Sequence, residues 1–251
     1  MAAQLLHRLT APERTQRANR QLGGVLAFVA GAINAGGFLA VQRYTSHMSG
    51  IVSSIADNLV IGEMLLAMAG LACLLAFVLG AITSAVLVNW GRRRHLRGEF
   101  ALPLMVEAAL LLLFGLMGAN LHLYVDLFVP STVALLCFIM GLQNAMVTKI
   151  SKAEIRTTHM TGVITDLGIE LGRLLYWNRL AEADEAHRVV ANRDKIRIHL
   201  IILGLFFSGG LIGAMAFKTL GFSATLPFAM LLTGMAVLPL LSDLRGKLGH
   251  V

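Results

Sequence analysis

The sequence predicts an all-α, polytopic membrane protein. The expected architecture is six spanning helices in two inverted three-helix repeats, each with a partial or re-entrant helix after its first span. Three observations carry this expectation. The chain of 251 residues is 57% hydrophobic and only 14% charged, where a soluble domain carries roughly a quarter charged residues. Its apolar residues fall in six runs near twenty residues long, the length that crosses a bilayer as a helix. A polar nonapeptide, TSHMSGIVS from Thr45, recurs as TTHMTGVIT from Thr157, with four positions identical and five exchanging only Ser with Thr or Ile with Val.

The six runs are 21–41, 63–90, 101–119, 130–149, 197–217 and 222–241. With the N-terminus in the cytoplasm and one crossing per run, all but two of the 21 Lys and Arg residues fall inside, the exceptions being Arg43 and Lys218. Cytoplasmic loops collect Lys and Arg, so this distribution sets the orientation, with both termini inside. It also gives the net charge of +7 a topological reason and removes it as an argument for nucleic acid. Trp90, Tyr176 and Trp177 then lie near the inner interface. The first run is read as a retained helix, not a cleaved signal, because its GAINA (31–35) has a counterpart deep in the chain, GLQNA (141–145). The whole chain is read as one membrane domain, with repeat one at 21–119, repeat two at 130–241, and cytoplasmic tails at 1–20 and 242–251.

The nonapeptides are not counted as crossings. A further span after His47 would put GRRRHLR outside, and one after His159 would put the charged stretch 178–197 outside. Each repeat therefore has three crossings, an odd number, which inverts the second repeat. Inverted repeats with interrupted helices are the architecture of many solute carriers, with the site near the midplane.

A helix that starts inside a membrane has N–H groups without partners and no bulk water to supply them. Ser and Thr are good N-caps, so Thr45, Ser49, Thr157 and Thr161 suit such a start, and Gly50 and Gly162 let another segment approach closely. Two readings stand side by side: the hydroxyls stitch the partial helix to its neighbours, or they line a polar path. Imidazole as a group titrates near neutral pH, so His47 and His159 are the place where proton coupling would reside; packed, neutral histidines are the alternative. Met48 and Met160 suggest a soft metal, but one His and one Met per half is thin ligation, and no metal or other cofactor is expected.

Asp57 and Asn58 extend the polar stripe of the first half, and Asp166 and Glu170 that of the second. Asp166 and Glu170 share one helix face, and Glu170 can pair with Arg173 at i,i+3. Glu107 is an isolated carboxyl in a spanning run, a functional-site candidate by default. Asn34, Gln143 and Asn144 are amides in spanning helices, able to bond across helices or hold a solute. Ala72, Ala76, Gly80 and Ser84, and Gly209 with Gly213, read as packing seams. Cys73 and Cys137 lie inside apolar runs and read as small hydrophobes. No Walker motif, catalytic triad, HExxH or paired CxxC occurs, so the chain is not expected to be an enzyme.

The GxxNA helix, the Y-x-S-H-M-S-G stretch and T-T-H-M-T-G-x-x-T-D-L-G together resemble the YoaK-like family of uncharacterised bacterial membrane proteins, over nearly the whole chain. The resemblance implies a small protein of the bacterial inner membrane with no assigned chemistry. It also implies Asp where Asn34 stands, and Asn where Ile51 and Val163 stand, so this chain is less polar there. The expected function is secondary transport or facilitated passage of a small polar solute; the alternative is a non-transporting scaffold, subunit or lipid-interacting protein. Expected partners are membrane lipids, an unknown small solute and, for assembly, a second copy of the chain; nucleic acid is not among them.

Overall fold

In a computed structural model of the protein, the described residues are 16–41, 44–94, 96, 98–120, 125–150, 160–176 and 189–248. All of their regular elements are helical: α1 (Gln16–Val41), α2 (Met48–Ile61), α3 (Met64–Arg93), α4 (Ala101–Ala119), α5 (Val125–Ile150), α6 (Met160–Leu175), α7 (Arg193–Leu220), a 3-10 turn (Gly221–Ala224) and α8 (Thr225–Leu248).

Five stretches are long and apolar enough to cross a membrane: Asn19–Leu39, Met64–Arg93, Ala101–Ala119, Val129–Ile150 and Arg193–Leu241. The fifth runs for 49 residues and contains both of the last two expected spans, with the turn at Gly221 between them. The 14 residues of α2 rise about 21 Å at 1.5 Å each, short of the ~30 Å hydrocarbon core. It is a partial helix by length. It ends at Gly62, whose φ of 84° is the left-handed conformation that glycine adopts at helix C-termini.

Neighbour contacts fix the directions. Gly24 lies against Leu205, Gly31 against Phe206 and Gly36 against Phe217, so α1 and α7 run parallel. Gly141 lies against Phe77 on α3, while Lys149 Nζ donates to Ala85 O (3.2 Å) and Asn89 Oδ1 (2.9 Å), so α3 and α5 are parallel too. Gln143 Nε2 donates to Leu26 O at 3.3 Å while Leu136 meets Gly37, which makes α5 antiparallel to α1. Gly98 meets Pro239 and Gly115 meets Thr225, so α4 and α8 are antiparallel. An ion pair between Arg92 and Glu99 closes the short α3–α4 connection and returns the chain alongside itself. It follows that α8 runs opposite to α7, and the chain reverses at Gly221.

The main packing pairs are α1 with α7, α3 with α5, and α4 with α8; the partial helices α2 and α6 lean on α3 and α7. The buried core runs along α1, α4, α5 and α8, through Leu26, Ile33, Leu104, Phe114, Met140 and Leu232. By contrast α3 turns Leu65, Leu71, Leu75, Leu79 and Val86 outward, as a helix facing lipid does.

Two contacts set the spacing. A Cβ on Gly31 would strike the Phe206 carbonyl oxygen and one on Gly209 that of Phe28, so each helix of the α1–α7 pair presents a glycine to the other's backbone. The α3–α5 pair repeats the arrangement, Gly80 against Phe138 O and Gly141 against Phe77 O. Lipid offers no hydrophobic drive for helix association, so this backbone-close packing carries much of it. Gly209→Ala is expected to lower stability by about 1–3 kcal/mol, the cost of overpacking. Gly204→Ala, on the same helix with nothing within 4 Å, is expected to stay within about 1 kcal/mol of the parent. Thermal unfolding of the two purified variants checks the difference.

Candidate functional site

After α1 the chain turns back through 44–47 and enters α2. The buried Thr45 lies in this turn, beside Tyr44, which stacks on Phe38 with ring centroids 4.5 Å apart. Helix α2 starts at Met48, as a nonapeptide helix start requires, but its capping differs from the expectation. The N-cap position is His47, whose side chain makes no capping bond. Met48 N donates to Ser46 O (3.2 Å), and the first bond of the helix runs from Ile51 N to His47 O (3.1 Å). The Ser46 hydroxyl donates to Asn34 Oδ1 on α1 at 2.7 Å. One hydroxyl of the turn and one amide of α1 thus stitch the start of α2 to α1.

Beside the stitch lies a cavity of ≈260 Å³. The turn contributes Tyr44, Thr45 and His47 to its wall, α2 contributes Gly50, Ile51 and Ser54, α3 contributes Gly70 and Cys73, and α5 contributes Val133 and Cys137. The two glycines make room for it. A Cβ on Gly50 would press into the His47 ring, and one on Gly70 into the Ile55 side chain. Hydroxyl, phenol and imidazole groups therefore converge on a hollow otherwise walled by apolar groups and thiols. That is the usual composition of a small-molecule site.

The remaining candidates are spread over the bundle. Ser49 and Asp57 are exposed on α2, and Asn58 donates to Ser54 Oγ at 3.2 Å. Glu107 is fully buried on α4, and neither of its oxygens has a hydrogen-bond partner among the described residues; it does not line the cavity. Asn144 is half-buried on α5. Thr157 and His159 lie outside the described residues. Thr161 and Gly162 open α6, as Ser49 and Gly50 open α2.

Asp166 and Glu170 do share a face, and each meets α7 or its start. Glu170 accepts from Arg173 Nη1 at 3.0 Å, as the i,i+3 spacing predicts, and from the Asn192 backbone N–H at 2.9 Å. Asp166 faces Lys195 Nζ at 3.5 Å and His199 Nε2 at 4.0 Å. The sequence reading passed over His199, Gly70 and the convergence of the two cysteines. The cysteines did carry a signal, since Cys73 lies two turns before Gly80 and Cys137 one turn before Gly141, the glycines through which α3 and α5 touch.

Five apolar stretches of spanning length among the described residues, with a shorter apolar helix between the first two, are those of a multi-pass helical membrane protein. The chain belongs to the family described as Protein of unknown function (DUF1275), which it matches over residues 22–238. No curated protein and no solved structure matches it.

The Ser46–Asn34 bond is tested by Asn34→Leu, which removes the acceptor and leaves a half-buried hydroxyl unpaired. A stability loss of about 1–3 kcal/mol is expected in chemical or thermal unfolding. Asn34→Asp keeps an acceptor oxygen and is expected to lose less.

Proposed function

We propose that this protein is a six-span inverted-repeat carrier or facilitator for a small polar solute, seated in the bacterial cytoplasmic membrane with both termini inside. The observation that carries the reading is the ≈260 Å³ cavity beside α2, where the first nonapeptide presents Thr45 and His47 among membrane-type helices.

The inversion is supported by direction and by pairing. Matching α1 to α5 and α4 to α8 matches helices that run antiparallel, as a two-fold axis in the membrane plane requires. The α1–α7 pairing then maps onto α5–α3, and the glycine contacts of one pair map onto those of the other. The same exchange extends to local detail. In the first half the Glu63 N–H, before α3, donates to Asn58 O at 2.8 Å; in the second the Asn192 N–H, before α7, donates to Glu170 Oε2. Asn58 and Glu170 occupy equivalent places in their nonapeptide segments.

The halves differ where Ser54 and Gly70 line the cavity, since Asp166 and His199 hold the equivalent positions of the second half. One half thus offers a hollow and the other an ion-paired cluster. In this reading His47 is the group through which proton movement couples to the solute.

Two experiments test the proposal. Single cysteines at the exposed positions Ser49 and Thr161, in a chain with Cys73 and Cys137 replaced, are expected to react with an impermeant maleimide from opposite faces of the membrane. Labelling from one face removes the inversion. Proteoliposomes challenged osmotically with a panel of small polyols, amides and amino acids are expected to re-swell faster than protein-free vesicles for at least one solute. Ser54→Trp, which fills the cavity, is expected to abolish that gain. If no solute moves, transport fails, and the scaffold or lipid-interacting reading takes its place.

A further inference from the structure

The two cysteines, 0% exposed at Cys137 and half-buried at Cys73, come from different helices and different halves of the chain. Their helices pack with Gly80 against Phe138 O and Gly141 against Phe77 O, so Cys73 stands one turn before one contact and Cys137 next to the other. Both line the cavity beside α2. Two thiols on the wall of one cavity, with a passage to at least one of them, differ chemically from two buried hydrophobes. A thiol–disulfide exchange that starts on one sulfur can be completed by the other.

We propose that Cys73 and Cys137 form a redox-active dithiol at the wall of the cavity, which a small disulfide entering that cavity converts to a bond between α3 and α5. The step balances without any further reactant. The thiolate of one cysteine attacks a sulfur of the reagent and expels its other half as a thiol, leaving a mixed disulfide. The thiolate of the second cysteine attacks the protein sulfur of that mixed disulfide and expels the remaining half. The protein loses two protons and two electrons, which reduce the reagent to two thiols.

Packing favours the second attack. A cavity of ≈260 Å³ admits one small aromatic adduct, while the partner thiol lines the same cavity. The product ties the first half to the second beside the contacts of Gly80 with Phe138 and of Gly141 with Phe77. The inference concerns thiol chemistry and does not rest on transport.

The test uses full-length protein in mild detergent and 4,4′-dithiodipyridine as the probe. The expected result is release of two equivalents of pyridinethione per chain, an intact mass lower by two hydrogens, and no retained pyridyl group. Trypsin cleavage after Arg93 or Arg94, between the two cysteines, is then expected to leave fragments that separate only after reduction. Cys73→Ser and Cys137→Ser are expected to leave those fragments free. Two retained pyridyl adducts would overturn the proposal, because each thiol would then react alone. No reaction in the folded chain, with full reaction after denaturation, would overturn it equally.

Discussion

The backbones of α1 and α7, and of α3 and α5, come so near that no methyl group fits between them, and the placing of the polar groups follows from this. Four helices held by reciprocal glycine contacts have little freedom to slide. The α3–α5 contact sets the heights of Cys73 and Cys137, and hence two walls of the cavity. It also brings Lys149 to Ala85 O and Asn89 two turns further along. The α1–α7 contact fixes α1, and Asn34 on α1 then anchors Ser46 and the start of α2. A substitution that pushes either pair apart would act on the cavity without touching it.

Within that frame the nonapeptide divides its polar groups between structure and surface. The first amide of α2, Met48 N, is met by the Ser46 carbonyl. The Ser46 hydroxyl bonds Asn34 and holds the start of α2 to α1. An unpaired backbone group in hydrocarbon costs several kcal/mol, so backbone-to-backbone bonding at the helix start leaves side chains able to face a guest. His47 is one of them, because its capping position demands nothing of its ring. The stitching and lining roles of the motif are thus compatible, carried by different residues of the same nine.

What the sequence made legible, and what it did not, divides along the range of the interaction. Run lengths and basic clusters located the helices within a few residues, and 101–119 coincides with α4, because apolar length is a local property. The Glu170–Arg173 pair was legible for the same reason, three residues apart on one helix. The reversal at Gly221 was legible as well, because Lys218 and Gly221 interrupt the apolar run locally and separate 197–217 from 222–241. Gly80 and Gly209 were legible as packing seams, but their partners, Phe138 and Phe28, lie far away in sequence, and no local pattern names them. The Asp166–Lys195 contact and the bond from Asn192 to Glu170 failed to show for that reason alone.

The divergence of the two halves has a physical direction under the proposed inversion. The first turns of α7 carry Lys195 and His199, and the matching turns of α3 carry Leu66 and Gly70. Those turns of α7 would sit at the cytoplasmic face, where basic residues are retained, and those of α3 at the outer face, where they are disfavoured. A duplicated helix start placed on both sides of one membrane is therefore pulled apart by the charge asymmetry itself. In that frame the inner copy carries a cation with Asp166 opposite it, and the outer copy carries Ser54 and Gly70, which line the cavity. The hollow would then face the outer side on electrostatic grounds, and a guest's requirements would act on the groups that line it.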